Sequence, residues 1–381
     1  MGESAVSRIL AAPETLTVEW ADGARSEYSS LWLRDNVPED RDAFSGQRLV
    51  DIADEPAKPR IRNAVQEDGA VRIDWDGEGR AASFKLQWLR AHRPEAPVQR
   101  PELQVRTWLE GQRLDARRDF AWASVAALSA APDARLTWLT RLVQDGLGFI
   151  EDVPARDSAI LELMPLVGRV LETNYGLTFD VRSVAQPENL AYSDLGLGLH
   201  TDNPYREPVP GFQALHALVT SNEGGESLFA DGFALAAQLR SEAPEDFAIL
   251  AATAVPFLYR SHDAELYAER PLIQLSTAGA VTAVHYNNRS ISPLSIVPGA
   301  APRFYAAYRR FAALLREPSY QLRTRLAAGT LVVFDNQRTL HGRTAFSSAR
   351  YPRHLRGCYL SRDSVYSETA LLRRRLAEVP A

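Results

Sequence analysis

Seven histidines occur in the chain, at positions 92, 200, 216, 262, 285, 341 and 354, and only His200 has an aspartate two residues later, Asp202. In an extended segment, positions i and i+2 project to the same side, so the His200 imidazole and the Asp202 carboxylate can converge on one point. A second imidazole is offered by His341, which follows a glycine turn at Gly329, an apolar run Leu331-Val-Val-Phe334 and a polar turn Asp335-Asn-Gln-Arg338. Two imidazoles and one carboxylate make the facial triad suited to non-haem Fe(II), which leaves three coordination positions for a chelating co-substrate and O2. Zinc hydrolysis is the competing use of the same ligands. It calls for a nearby general base, and the flanking residues are amides, aromatics and arginines instead. Twelve residues beyond His341, Arg353 carries a planar guanidinium that can grip the distal carboxylate of 2-oxoglutarate bidentately, with Arg356 as the competing candidate. The usual nucleotide and serine-hydrolase signatures, GxGxxG opening a helix, GxxxxGK[ST] and GxSxG, do not occur.

These residues need a scaffold, and the sequence outlines one. Apolar residues Leu136, Leu139, Leu142 and Val143 recur at helical spacing after Asp133, and Gly146-Leu-Gly148 stops that helix before the strand-like Phe149-Ile150. Helices are expected over 159–172, 234–252 and 303–316, and strands near 215–220, 281–286, 331–334 and 355–360. The stretch from Arg260 to Pro271 reads as a surface loop, with a lid as the alternative. Upstream, the first hundred residues hold a faint repeat. Val18-Glu-Trp20-Ala-Asp-Gly23 leads to Leu31-Trp-Leu-Arg34, and Ile73-Asp-Trp75-Asp-Gly77 leads to Leu86-Gln-Trp-Leu-Arg90. Each copy reads as a strand, an Asp-Gly turn, a second strand and a Trp-Leu-Arg segment, giving a small β-rich unit whose four tryptophans form its core. The organisation expected is an N-terminal β-rich domain over 1–95, a connector over 96–130 and a catalytic domain over 131–381.

Composition excludes several classes. Lys plus Arg (43) against Asp plus Glu (48) leaves a net charge of −5, which argues against nucleic acid as the partner. Without a run of about 18 apolar residues or a signal-peptide pattern, the reading is a cytoplasmic protein with no membrane partner. Cys358 is the only cysteine, so an intramolecular disulfide is impossible and a reducing compartment fits.

The stretches Asn189-Leu-Ala-Tyr192 to His200-Thr-Asp-Asn-Pro-Tyr205, Gly224-Gly-Glu-Ser-Leu-Phe-Ala-Asp231-Gly-Phe233, Tyr286-Asn-Asn288, Phe334-Asp-Asn336, Leu340-His-Gly-Arg343 and Gly357-Cys-Tyr-Leu-Ser-Arg-Asp363 resemble the gamma-butyrobetaine dioxygenase and trimethyllysine dioxygenase family. That family is a branch of the Fe(II)/2-oxoglutarate oxygenases, and Leu31-Trp-Leu-Arg-Asp-Asn36 is similar to its accessory domain. The resemblance implies an α+β protein: a double-stranded β-helix, or distorted jelly roll, with a small β-rich N-terminal domain, commonly assembled as a homodimer. It also implies that His200, Asp202 and His341 bind iron, that Arg353 and Leu215 form the 2-oxoglutarate pocket, and that Asn189 and Asn287 orient the co-substrate or the substrate's anionic end. Tyr175, Phe179, Tyr192 and Tyr359 fall on the family's trimethylammonium cage. A quaternary ammonium has no N–H to donate, so it is recognised by aromatic faces, at roughly 0.5 to 2 kcal/mol per ring.

Two departures from the family pattern stand out. Relatives carry a structural zinc held by cysteines just after the Trp-Leu-Arg-Asp-Asn segment and by a downstream histidine. Here the segment continues Val37-Pro-Glu-Asp-Arg-Asp-Ala-Phe44, with Arg80 about where the histidine falls, so no structural zinc is expected. The second departure is Arg289, directly after Asn287-Asn288, where a cation suits a doubly charged head unless it pairs with a local carboxylate. The activity expected is hydroxylation of a small trimethylammonium compound with an anionic end, coupled to conversion of 2-oxoglutarate and O2 to succinate and CO2. Gamma-butyrobetaine is the first candidate. Its phosphonate analogue 2-trimethylaminoethylphosphonate comes next, then trimethyllysine, and a non-catalytic betaine-binding protein is the reading from a different class.

Overall fold

The protein is represented by a computed structural model, described here for residues 5–77, 79, 81–94, 104–182, 195–221, 223–347 and 353–378. The chain divides into two compact units, Met1–Arg100 and Pro101–Ala381. The first unit realises the repeat with one strand more per copy than the sequence suggests. Strands Val6–Ala12, Thr15–Trp20 and Arg25–Ser29 form one antiparallel sheet, and Ile61–Glu67, Ala70–Trp75 and Ala81–Lys85 form the other. Both Trp-Leu-Arg segments are short helices, Ser30–Asp35 and Leu86–Ala91. Trp20 and Trp75 are fully buried, while Trp32 and Trp88 are half-buried and meet with ring centroids 5.4 Å apart. Beneath them Arg34 is nearly buried, and its guanidinium lies 2.9 Å from Asp40 and 2.9 Å from Glu55.

The second unit is the double-stranded β-helix. Its large sheet runs Phe179–Arg182, His354–Leu360, Phe212–Val219, Leu331–Asp335, Leu147–Glu151 and Ala121–Ser124, with Val170–Leu171 joined to His354–Leu360. The smaller sheet runs Leu197–His200, Thr339–Arg343, Ser227–Asp231 and Leu322–Thr324. Period-two alternation sorts the side chains. Leu331 and Val333 pack outward with Trp138, Leu139 and Leu142 of the helix Pro132–Asp145, while Val332 and Phe334 pack inward with Phe149, Leu215, Phe229 and Leu355. That inner cluster fills one part of the space between the sheets and leaves the site beside it.

Several expectations need correction. The helix expected over 159–172 ends at Leu163, gives way to a single 3₁₀ turn and becomes a short strand by Val170, because Pro165 has no N–H to continue the ladder. The helix expected over 234–252 is two helices, Gly232–Glu242 and Pro244–Ala252, broken at Pro244 for the same reason. The stretch from Arg260 to Pro271 is not a loop, since Glu265–Arg270 pairs antiparallel with Val255–Arg260. The end of the expected connector, 121–130, supplies a parallel edge strand and a helix to the second unit. A final helix, Arg362–Glu378, covers the outer face with Val365 and Leu372.

Candidate active site

Two short antiparallel strands bring the histidines together, with His200 directly opposite His341 and ring centroids 4.3 Å apart. The strands approach closely enough that a Cβ on Gly342 would sit 2.5 Å from the Leu197 carbonyl oxygen, so only glycine fits there. After His200 the chain turns, and Asn203 takes a left-handed φ of 55°. Asp202 therefore faces both rings: its Oδ1 is 3.2 Å from His200 Nε2 and its Oδ2 is 3.8 Å from His341 Nε2. The ligand atoms of His200, Asp202 and His341 all lie within 4.8 Å of one another.

The surroundings prepare these groups for a metal. His200 Nδ1 meets the Gly198 carbonyl oxygen at 2.9 Å, which leaves Nε2 as the lone-pair nitrogen. Burial lowers the pKa of His200, helped by the positive charge of Arg289. Burial, with His200 beside it, takes His341 down to about 3, so both imidazoles are neutral ligands. Burial opposes ionisation of Asp202, while the bond donated by the Tyr359 hydroxyl favours the carboxylate, which is held below the usual range. The main chain of Asp202 is clamped by fully buried Asn336, whose Oδ1 accepts from the Asp202 N–H at 2.7 Å and whose Nδ2 donates to its carbonyl at 3.0 Å. Two neutral imidazoles and an anionic carboxylate, gathered at one side of a cavity, fit Fe(II) with open positions.

That cavity, about 410 Å³, is lined by the triad and by Tyr175, Phe179, Leu215, Asn287, Arg289, Arg353 and Tyr359, among others. Phe179 stacks on Tyr359 with centroids 4.8 Å apart. Its ring reaches across Gly357, where an added Cβ would lie 2.5 Å from the ring and 3.0 Å from Leu215. Tyr175 stands 6.3 Å from Phe179, and the Arg206 guanidinium already lies 5.5 Å from the Tyr175 ring centroid. Arg353 is buried, and its Nε donates to the carbonyl of Gly225 at 3.1 Å; among the described residues nothing bonds its two Nη groups. Burial, with Arg343 nearby, lowers its pKa to about 10, which leaves it charged at neutral pH. Arg356, the competing candidate, is held by Asp180 at 2.9 Å and by Thr178 at 2.8 Å. Asn287 donates from Nδ2 to the Thr201 carbonyl at 3.1 Å, and its Oδ1 has no partner. Arg289 is solvent-exposed at the cavity rim and pairs with no carboxylate among the described residues. Asn189 and Tyr192 lie outside the described residues.

Sequence reasoning missed two rings on this wall. Tyr205 and Tyr259 line the same cavity, stacked with centroids 5.1 Å apart, and Tyr259 meets Tyr175 edge-on at 6.0 Å. Tyr205 stood within a motif already noted, three residues after Asp202. Tyr259 carried no signal, because it lies on the hairpin strand Val255–Arg260, far along the chain from the other cavity residues.

Comparison with known proteins gives the same picture. Residues 110–359 match the taurine catabolism dioxygenase TauD, TfdA family, and residues 8–90 match the gamma-butyrobetaine hydroxylase-like N-terminal family. A gamma-butyrobetaine dioxygenase from Pseudomonas sp. (strain AK-1) is 35% identical, over 94% of this chain and 94% of its own length. The human gamma-butyrobetaine dioxygenase is 27% identical over 95% of each chain. A trimethyllysine dioxygenase from Meyerozyma guilliermondii is 26% identical over 94% of each.

Proposed function

Because this chain belongs to the gamma-butyrobetaine dioxygenase and trimethyllysine dioxygenase family of Fe(II)/2-oxoglutarate oxygenases, we propose that it hydroxylates a small trimethylammonium compound with an anionic end, gamma-butyrobetaine first. The observation that carries this reading is a single cavity lined both by His200, Asp202 and His341 and by the rings of Tyr175, Phe179 and Tyr359. In it, His200, Asp202 and His341 would hold iron, while Arg353, its Nε fixed on Gly225, would offer its Nη groups to the far carboxylate of 2-oxoglutarate beside Leu215. When bound, iron and 2-oxoglutarate supply the oxidising power that breaks an unactivated C–H bond with O2. The protein's own part is placement: the rings seat the cation, polar groups at the rim seat the anion, and one CH2 is held at the metal. Exposed Arg289 and buried Asn287 are the polar groups of this reading, and the family resemblance assigns Asn189 to the co-substrate or the substrate's anionic end and Tyr192 to the cage. We extend it to a homodimer, as the family resemblance implies, and to the cytoplasm, as the absence of a signal-peptide pattern in the sequence suggests.

A second reading is favoured by Arg289. An unpaired guanidinium at the rim suits the doubly charged head of 2-trimethylaminoethylphosphonate better than a single carboxylate needs. Succinate formation with gamma-butyrobetaine, the phosphonate and trimethyllysine, assayed side by side with Fe(II) and 2-oxoglutarate, tests both readings. Turnover of gamma-butyrobetaine above the others supports carnitine synthesis, and preference for the phosphonate moves the activity to phosphonate breakdown. Preference for trimethyllysine contradicts both.

A further inference from the structure

Tyr359 takes part in two structures at once. Its ring is part of the aromatic wall, stacked on Phe179, while its hydroxyl donates to Oδ2 of Asp202 at 2.9 Å. The side chain is buried and stands on the strand His354–Leu360, where the main chain pairs with Gln213 on one side and Leu171 on the other. That position is rigid. Asp202 lies beyond the end of its strand, in a turn, so its direction depends on bonds made to it from elsewhere. Asn336 fixes its main chain, and Tyr359 is the group that fixes its carboxylate. With Oδ2 engaged by the phenol, Oδ1 remains beside His200 Nε2.

We propose that Tyr359 is a positioning residue for the iron site: its hydroxyl holds one oxygen of Asp202 so that the other is presented to the metal, while its ring serves the cation cage. This inference rests on the iron reading above. Substrate seating and carboxylate setting then share one side chain, so each affects the other, and the coupling is reciprocal. Partners that orient a metal-binding carboxylate are commonly worth about 10- to 100-fold in metal affinity.

The variant Tyr359→Phe separates the two roles, because it keeps the ring and removes the hydroxyl. Mn(II) is the redox-silent probe, titrated into wild type, Tyr359→Phe and His200→Ala, with and without gamma-butyrobetaine. Thermal unfolding of each metal-free protein checks the fold. The expected result is Mn(II) affinity about 10-fold or more weaker in Tyr359→Phe, tighter Mn(II) binding with gamma-butyrobetaine in wild type only, and a KM within about 2-fold of wild type with a reduced kcat. Unchanged Mn(II) affinity in a folded Tyr359→Phe overturns the positioning role while leaving the iron reading intact. Equal Mn(II) affinity in wild type and His200→Ala overturns the iron reading, and this one with it. Should Tyr359→Phe unfold, Tyr359→His, which retains a ring and an N–H donor, must restore part of the Mn(II) affinity; no recovery in a folded Tyr359→His overturns the inference.

Discussion

A trimethylammonium ion offers no hydrogen to bond, so a site for it must be built from ring faces and must leave directional contacts to the other end of the substrate. The residues around the triad divide along that line, with Tyr175, Phe179 and Tyr359 as faces and Arg289 and Asn287 as polar groups. On the proposed reading, Arg289 is the residue that separates the two head groups. Charge-assisted bonds contribute roughly 1.5 to 3 kcal/mol. Arg289→Gln is therefore expected to lower kcat/KM for the phosphonate by about 10-fold or more, and that for gamma-butyrobetaine much less. Equal losses for both substrates would show that the guanidinium does not distinguish the heads. At this scale the sequence was most legible where spacing is short. His200-Thr-Asp202 could be read directly, whereas Tyr259 reaches the cavity only through the pairing of a distant hairpin.

At the scale of elements, strand pairing carries the histidines and a buried ion pair carries the turn between them and the core. Arg338 and Asp231 are both buried, 2.8 Å apart at Nη2 and Oδ2, and Arg338 also donates to the carbonyls of Gln144 and Arg106, each at 2.7 Å. Asp231 in turn caps the helix Gly232–Glu242 by accepting from the Phe233 N–H at 3.0 Å. Replacing Arg338 by Met leaves that carboxylate buried without its partner, a loss of about 3 to 5 kcal/mol. Urea unfolding is expected to show it as a lower midpoint, and a midpoint unchanged within error would deny the pair this role. The strand around Leu331 was readable because an unbroken apolar run, Leu331-Val-Val-Phe334, marks a sheet covered on both faces. Helix ends were less readable. Pro165 and Pro244 both break apolar patterns that look continuous, and Arg362–Glu378 hides its buried Val365, Thr369 and Leu372 among arginines and glutamates.

At the scale of the whole molecule, the two units hold together by different means. The second has large apolar clusters on both faces of its main sheet. The first is small, and small cores are marginal. Its core is a single cluster that includes Trp20 and Trp75, and beside it Arg34 pairs with Glu55 and Asp40, each at 2.9 Å. In the full chain, Glu55→Ala, which leaves Arg34 paired with Asp40, is expected to cost about 1.5 kcal/mol and to lower the N-terminal unit's calorimetric transition by about 6 °C or more. A shift under about 2 °C would contradict the pair's importance. The duplication of this unit was visible in sequence through Trp-Leu-Arg, but its outer strands, Val6–Ala12 and Ile61–Glu67, were not, since they are mostly exposed and carry little apolar alternation. The account's central claim is that iron held by His200, Asp202 and His341 oxidises a trimethylammonium substrate seated in the adjoining cage. Its most direct test is the ratio of succinate to hydroxylated product, measured by mass spectrometry, for Fe(II)-loaded wild type and His200→Ala with gamma-butyrobetaine and its phosphonate analogue. The account predicts a ratio near one for at least one substrate in wild type and neither product in His200→Ala; succinate without any hydroxylated trimethylammonium product, or turnover that survives His200→Ala, would contradict it.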